Sequence, residues 1–66
     1  MATIYTTRQA AKVLGLKRGT LEVWRCRGDG PQYCKLGRSV RYREEDLEKF
    51  VNNSVRNSTS QQPGRL

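Results

Sequence analysis

The sequence predicts a small, mainly helical domain with one β-hairpin. Three observations support this fold class: two short amphipathic segments joined by a Gly-containing turn, an alternating stretch divided by a turn, and a third amphipathic segment that begins with acidic residues. The chain has 66 residues and 35% hydrophobic content, so it can bury only one thin core. We expect a single domain over residues 1–53 and a polar, disordered tail over residues 54–66.

The first helix is predicted within YTTRQAAKVLGL, which begins at Tyr5. Thr6 and Gln9 have the spacing of a capping box, in which each side chain satisfies a free amide of the first turn. Gly15 is suited to the left-handed conformation that ends many helices. The predicted apolar stripe consists of Ala10, Ala11 and Leu14.

The second helix is predicted within LKRGTLEVWRCRG. Leu21 and Trp24 are three residues apart and should face inward, which favours a core position for Trp24 over a base-stacking one. Gly28 should end the helix. Its start is weak, because Lys17 is a poor N-cap and Gly19 costs up to about 1 kcal/mol relative to Ala. Local inconsistencies of this kind often mark function, and two short helices around such a turn are typical of a helix-turn-helix.

The hairpin is predicted within PQYCKLGRSVRY, with its turn at residues 37–39. Pro31 excludes a helix through its entry. We expect one face to be apolar, with Tyr33 or Cys34, Leu36, Val40 and Tyr42. We expect the basic residues Lys35, Arg38 and Arg41 at the tip and on the outer face.

The third helix is predicted within REEDLEKFVNN. Its first turn is acidic, which the helix dipole favours, although Arg43 is a poor N-cap. The acidic residues of that turn are Glu44, Glu45 and Asp46. The apolar stripe expected to pack on the core consists of Leu47, Phe50 and Val51.

Charge is distributed unevenly along the chain, whose net charge is +7. Residues 1–43 hold ten of the 13 Lys and Arg residues but only Glu22 and Asp29 as acids, and residues 44–51 hold the remaining four acids. A basic body with one acidic patch indicates a protein that meets a polyanion with one face. The chain has no His, no Gly-rich phosphate loop and no paired carboxylates outside the third helix, so we expect no enzyme.

Cys26 and Cys34 are predicted to be buried or half-buried thiols. Without His, one chain cannot build a four-ligand zinc site, so we expect no metal and no cofactor. The tripeptide Arg27-Gly28-Asp29 is interpreted as a turn rather than an adhesion motif. The chain shows no secretory leader and no run of about 18–20 apolar residues, so we expect a cytoplasmic protein with no membrane partner and reduced cysteines.

The order helix, turn, helix, hairpin, helix is accompanied by four motifs. They are T-x-x-x-A-A-x-x-L-G from Thr6, GP before the hairpin, LGRSVRY, and D-L-x-x-F ending at Phe50. Over about residues 4–52 the chain resembles the small excisionase-type winged helix-turn-helix family, which includes phage excisionases, AlpA-like regulators and the DNA-binding modules of MerR-type proteins. The chain departs from the family's usual pattern at Lys17 and Arg43, where better helix caps are common, and at Glu22 and Val23, where arginines can stand.

A helix of this kind places its first residues against base edges in the major groove. The predicted DNA-binding residues of the recognition helix are Lys17, Arg18, Gly19, Thr20, Glu22, Val23, Arg25 and Arg27. Arg18 is expected to read guanine, Glu22 to accept from cytosine N4 and Val23 to contact a thymine methyl, with Arg25 and Arg27 on phosphates. The hairpin is expected to be the wing, in the adjacent minor groove or on its phosphates. Its predicted contact residues are Lys35, Arg38, Ser39 and Arg41; Arg41 is equally consistent with a solvated surface charge.

The resemblance implies a sequence-specific protein of double-stranded DNA that acts near a phage or mobile-element attachment site in a bacterial host cell. Family excisionases are monomers in solution, associate head to tail on DNA, bend it and favour integrase-mediated excision. By this analogy the C-terminal tail is a candidate contact for a tyrosine-type integrase. Two alternatives stay open: an AlpA-like transcriptional regulator at a single operator, and a small protein-binding adaptor.

Overall fold

The computed structural model describes residues 3–56, which form three helices and a small antiparallel sheet. In chain order the elements are β1 (Ile4–Tyr5), α1 (Thr7–Leu14), α2 (Arg18–Arg27), β2 (Cys34–Leu36), β3 (Ser39–Arg43) and α3 (Glu44–Ser54). The predicted fold, a helix-turn-helix followed by a hairpin wing and a third helix, is confirmed. No helix in the described part of the chain is long and apolar enough to cross a membrane.

Both ends of α1 form as its sequence predicts. The backbone N–H of Gln9 donates to Thr6 Oγ1 over 3.1 Å, and the backbone N–H of Thr6 donates to Gln9 Oε1 over 2.9 Å. The helix ends at Gly15, whose φ of 70° lies in the left-handed region. The N–H of Leu16 then donates to the carbonyl of Ala11 over 2.8 Å, which completes a Schellman motif.

The core lies between the three helices and β3. Its buried residues are Ala10, Ala11, Leu21, Tyr42 and Leu47. The two alanines allow α2 to approach α1 closely, as small side chains do. Trp24 packs against this core and lies 5.5 Å from the ring of Phe50, so its predicted core position is confirmed. Val51 was expected to pack on the core with Leu47, but it is 46% exposed.

The sheet has the order β1-β3-β2, and its first strand was not predicted. Ile4 pairs with Arg43 and Tyr5 with Tyr42 in the antiparallel register. A strand of two residues is too short to show an alternating pattern. It nevertheless fixes the N-terminal segment against the end of β3, because the N–H of Glu44 also donates to the carbonyl of Thr3 over 3.0 Å.

The hairpin register corrects three expectations. Ser39 belongs to β3 and pairs with Leu36, so the loop contains only Gly37 and Arg38 rather than residues 37–39. Lys35 pairs with Val40, and residues directly opposite each other share a face of the sheet. Leu36 therefore lies on the face opposite Val40 and is 55% exposed instead of packing with it. Lys35 and Arg41 also lie on opposite faces, not together on one outer face.

The start of α3 is held by a side-chain pair instead of a cap. Arg43 makes no capping bond, as predicted, but donates from Nε to Asp46 Oδ2 over 2.8 Å and from Nη2 to Oδ1 over 3.0 Å. Asp46 is only 7% exposed. The hydrogen bond from Arg43 lowers the pKa of the Asp46 carboxyl. The pair thus joins the end of β3 to the first turn of α3.

The end of α3 falls at Ser54, one residue inside the predicted tail of residues 54–66. Val55 and Arg56 follow without regular structure. The rest of the predicted tail, residues 57–66, lies outside the described residues.

Candidate nucleic-acid interface

The outward side of α2 brings together most of the predicted recognition residues. Lys17, Arg18, Gly19, Glu22, Val23 and Arg27 are exposed, whereas Thr20 and Arg25 are partly buried. Helical spacing explains this division, because Leu21 and Trp24 take the side that faces the core. The exposed side is therefore a continuous polar surface with Val23 as its apolar member.

The first turn of α2 is open to an external partner. Lys17 makes no side-chain capping bond, and the N–H of Thr20 donates to its carbonyl over 3.0 Å. A Cβ added at Gly19 would meet no heavy atom within 4 Å. Gly19 is therefore not required by the packing of the protein itself. Its absent side chain leaves space at the point where a recognition helix approaches DNA most closely.

A shallow depression lies beside this open turn. It is lined by Lys17, Gly19, Thr20, Val23 and Trp24. Val23, which is 52% exposed, forms its apolar edge. A depression with an apolar wall and a cation nearby suits the methyl group of thymine next to a phosphate.

Both acidic residues near the interface are paired with arginines. Arg18 Nε lies 3.4 Å from Glu22 Oε2, and Arg27 Nη2 lies 3.3 Å from Asp29 Oδ2. All four side chains are about half exposed or more, and such surface pairs are worth about 0–1 kcal/mol. Arg18 and Glu22 can therefore release each other and bind base edges instead, at little cost in free energy. Asp29 is the partner of Arg27 in the turn that follows α2.

Arg25 lies apart from the other predicted contacts, because its side chain is directed toward the hairpin. Its Nη1 donates to the hydroxyl of Tyr42 over 3.3 Å. Its guanidinium carbon lies 5.8 Å from the ring centroid of Tyr33. The partnership joins residues 17 positions apart, and nothing in the local sequence pattern indicated it.

The wing presents its charge at the loop and along both faces. Lys35, Arg38 and Ser39 are exposed, and Arg38 occupies the two-residue loop beside Gly37, whose φ is 64°. Arg41 is partly buried, and its Nη1 donates to the carbonyl of Val40 over 2.8 Å. Arg38 is therefore the wing cation best placed to reach a groove, while Arg41 is held closer to the sheet.

The two cysteines are free thiols in different surroundings. Cys34 is partly buried as predicted, but Cys26 is exposed, because it lies on the outward side of α2. Among residues 3–56 no three His, Cys, Asp or Glu side chains cluster in a way that could hold a metal ion.

The comparison with protein families agrees with this geometry. The sequence model of a family described as "Helix-turn-helix domain" matches residues 4–54, which include every element from β1 to α3. No curated protein matches the chain.

Proposed function

The chain belongs to the helix-turn-helix domain family, which includes excisionase-like and AlpA-like small DNA-binding proteins, and from this premise we propose that it acts as an excisionase. A helix-turn-helix domain implies sequence-specific DNA binding, and domains of this family are typically not enzymes. In the proposed role several copies bind side by side near an attachment site in a bacterial host cell. They bend the DNA and favour excision by an integrase.

The observation that supports DNA reading by α2 most strongly is its open, exposed first turn. The first residues of a recognition helix reach base edges in the major groove. In this arrangement Arg18 donates to guanine O6 and N7, an interaction worth about 1–3 kcal/mol of discrimination. Glu22 accepts from cytosine N4 and Val23 packs on a thymine methyl. Lys17 and Thr20 face the same groove, and Arg27 binds a flanking phosphate.

The wing is proposed to bind the adjacent minor groove. Arg38 in the exposed loop is the residue most suited to a narrow, electronegative groove. Lys35 and Ser39 lie on opposite faces of the hairpin next to the loop and can bind sugar-phosphate oxygens, and Arg41 supports Ser39 from the same face. A helix in one groove and a hairpin in the next together span more DNA than either element alone, and their combined contacts can offset the cost of bending the site.

The partners of this role follow from the family resemblance. The protein is proposed to be a monomer in solution that associates head to tail on DNA, with the tail after α3 as the contact for a tyrosine-type integrase. A transcriptional role would use the same recognition helix and wing at one operator. The two roles differ in the number and arrangement of bound copies, which a binding experiment can count.

The test is a gel mobility shift with footprinting, on DNA that flanks the protein's gene and the neighbouring attachment site. A ladder of regularly spaced, cooperatively filled sites is expected. One protected operator over a promoter would replace the excisionase role with transcriptional regulation. Binding should also weaken with salt, with a log–log slope of about −0.9 per phosphate contact. If no salt-dependent DNA binding is observed, both DNA-binding roles are excluded and the role of a small protein-binding adaptor is favoured.

Two substitutions separate base reading from backbone binding. Arg18→Ala should lower affinity and relax the preference at one base pair, because a bidentate contact to guanine is lost. Arg38→Ala should weaken binding more evenly across sequences. Lys49→Ala, which removes an exposed cation from the acidic α3, is the matched control and should bind as the parent does. If folded Arg18→Ala keeps the parent's affinity and preference, α2 is not the reading helix.

A further inference from the structure

Three side chains link the last turns of α2 to the base of the wing. Arg25 Nη1 donates to the Tyr42 hydroxyl over 3.3 Å, and the Arg25 guanidinium stands 5.8 Å from the ring of Tyr33. The rings of Tyr33 and Tyr42 are themselves 6.1 Å apart and tilted by 52°. Arg25, Tyr33 and Tyr42 together form the Arg25 latch. The latch combines a charge-assisted hydrogen bond, a cation–π contact and an aromatic pair.

The Arg25 latch is anchored at its sheet end. Tyr42 is 1% exposed, belongs to the core and pairs with Tyr5 of β1 across the sheet. A hydroxyl this deeply buried needs a partner, and Arg25 supplies it. Tyr33 precedes β2 directly, so the latch contacts both arms of the hairpin. The wing is therefore tied to α2 at its base, while its tip at Arg38 stays free.

The hairpin needs such a tie to hold one orientation. A two-stranded ribbon is only marginally stable by itself in water. In this chain β2 has three residues, and β1 pairs only with the far end of β3. A wing free to sample several orientations would lose that freedom on binding, at a cost in affinity. A wing held in place before binding avoids this cost.

We propose that Arg25 is a positioning residue that sets the wing relative to the recognition helix, and that it acts on DNA affinity through the wing. This inference rests on the proposed function and replaces the predicted phosphate contact of Arg25. Its consequence is that the latch determines the spacing between the major-groove and minor-groove contacts. The hydroxyl of Tyr42, which never touches DNA, then contributes to binding.

The test uses Tyr42→Phe, which removes one hydroxyl and keeps the buried ring. Tyr5→Phe on the neighbouring strand is the matched control. On a duplex long enough for helix and wing, Tyr42→Phe should lower affinity about two- to tenfold, the value of one hydrogen bond. On a duplex trimmed to the base pairs under α2, it should bind as the parent does. Tyr5→Phe should match the parent on both duplexes.

A double-mutant cycle with Arg38→Ala separates positioning from direct contact. If Arg25 acts through the wing, Arg25→Lys should add little to the loss caused by Arg38→Ala, because the wing contact is already gone. The lysine keeps the charge but not the planar guanidinium that reaches Tyr42 and stacks on Tyr33. Additive losses, or a loss by Arg25→Lys on the trimmed duplex, would assign Arg25 to a phosphate and overturn the latch.

If the parent protein binds no duplex, the proposed function fails. The latch can still be tested by a measurement on the free protein. In the free protein, Tyr42→Phe should speed hydrogen exchange of the β2 and β3 amides by about two- to tenfold relative to those of α1. Tyr5→Phe should leave this ratio unchanged. Equal acceleration of hairpin and helix would mean that the hydroxyl stabilises the whole fold, and the latch would be rejected.

Discussion

The first two helices begin in opposite ways. α1 starts with a complete capping box, in which Thr6 and Gln9 satisfy each other's backbone amides, and it buries Ala10 and Ala11. α2 starts without any side-chain cap at Lys17 and has a glycine in its first turn. Both helices end alike, each at a left-handed glycine with two bonds back to the last turn. The difference is confined to the start of α2.

This contrast distinguishes a helix that serves the fold from one whose start serves a partner. In α2 the Thr20 amide donates to the Lys17 carbonyl, but the Gly19 amide has no capping side chain, and helix N-termini with free amides favour phosphate oxygens. The stability lost at this start is modest, because α2 is anchored further along by Leu21 and Trp24. The uncapped first turn of α2, which is unfavourable for helix stability, thus coincides with the surface proposed to approach DNA.

The largest expected effect separates the two sides of α2. Leu21→Ala removes a buried side chain and should lower the free energy of unfolding by about 2–5 kcal/mol. Val23→Ala, two residues away on the outward side, should change it by about 0.5 kcal/mol or less. Urea unfolding of both variants measures the difference. Comparable losses would mean that Val23 packs against the protein and that α2 has no distinct outward side.

The next effect tests the start of α1. Thr6→Ala breaks the capping box and should lower the free energy of unfolding by about 1 kcal/mol, within a range of about 0.5–2 kcal/mol. The matched change Lys17→Ser adds a capping side chain where α2 has none. It should raise stability by a smaller amount and reduce DNA affinity, because the Gly19 amide is then occupied and a cation of the interface is lost. Unfolding curves and DNA-binding curves of the same samples check the expected changes in stability and in affinity.

The sequence predicted those features that depend on residues close together in the chain. Thr6 with Gln9, the glycines that end α1 and α2, and the inward pair Leu21 and Trp24 are all encoded within one or two turns. The Gly-containing loop also located the hairpin correctly. These features suffice to recognise the fold and to place most of the candidate site on one side of α2.

The missed features depend on contacts between distant segments. β1 has only two residues and exists because β3 is there to pair with it. Shortening the predicted hairpin loop to two residues, with Ser39 in β3, moved Leu36 to the exposed face, because alternation in a strand has a period of two. The Arg25–Tyr42 bond joins a helix and a strand 17 residues apart. Local sequence patterns do not predict β1, the exposed position of Leu36 or the Arg25–Tyr42 bond.

A smaller effect concerns α3, whose first turn is held by Arg43 and Asp46. The hydrogen bond from Arg43 lowers the pKa of Asp46, so the pair stabilises the fold above the ordinary carboxyl pKa of about 3.9. This stability should be lost as the pH falls through the lowered pKa of the folded state. Water screens the pair, because Arg43 is 43% exposed. The stability difference between the parent and Asp46→Asn should therefore shrink from pH 7 toward pH 2.5; a constant difference would contradict the ionic origin.

The smallest expected change in stability is the most informative about the start of α2. Gly19→Ala adds a methyl group that meets no heavy atom within 4 Å beyond its chain neighbours and the backbone of its own helix, and alanine is favoured over glycine inside helices by up to about 1 kcal/mol. In the first turn only part of this gain is expected, seen as a slightly higher Tm. DNA affinity should nevertheless fall, because the methyl group occupies the space against the sugar-phosphate backbone. Asn53→Ala on the exposed side of α3 is the control that should gain stability without losing affinity. If Gly19→Ala binds DNA as tightly as the parent, the open start of α2 is not where the helix meets DNA.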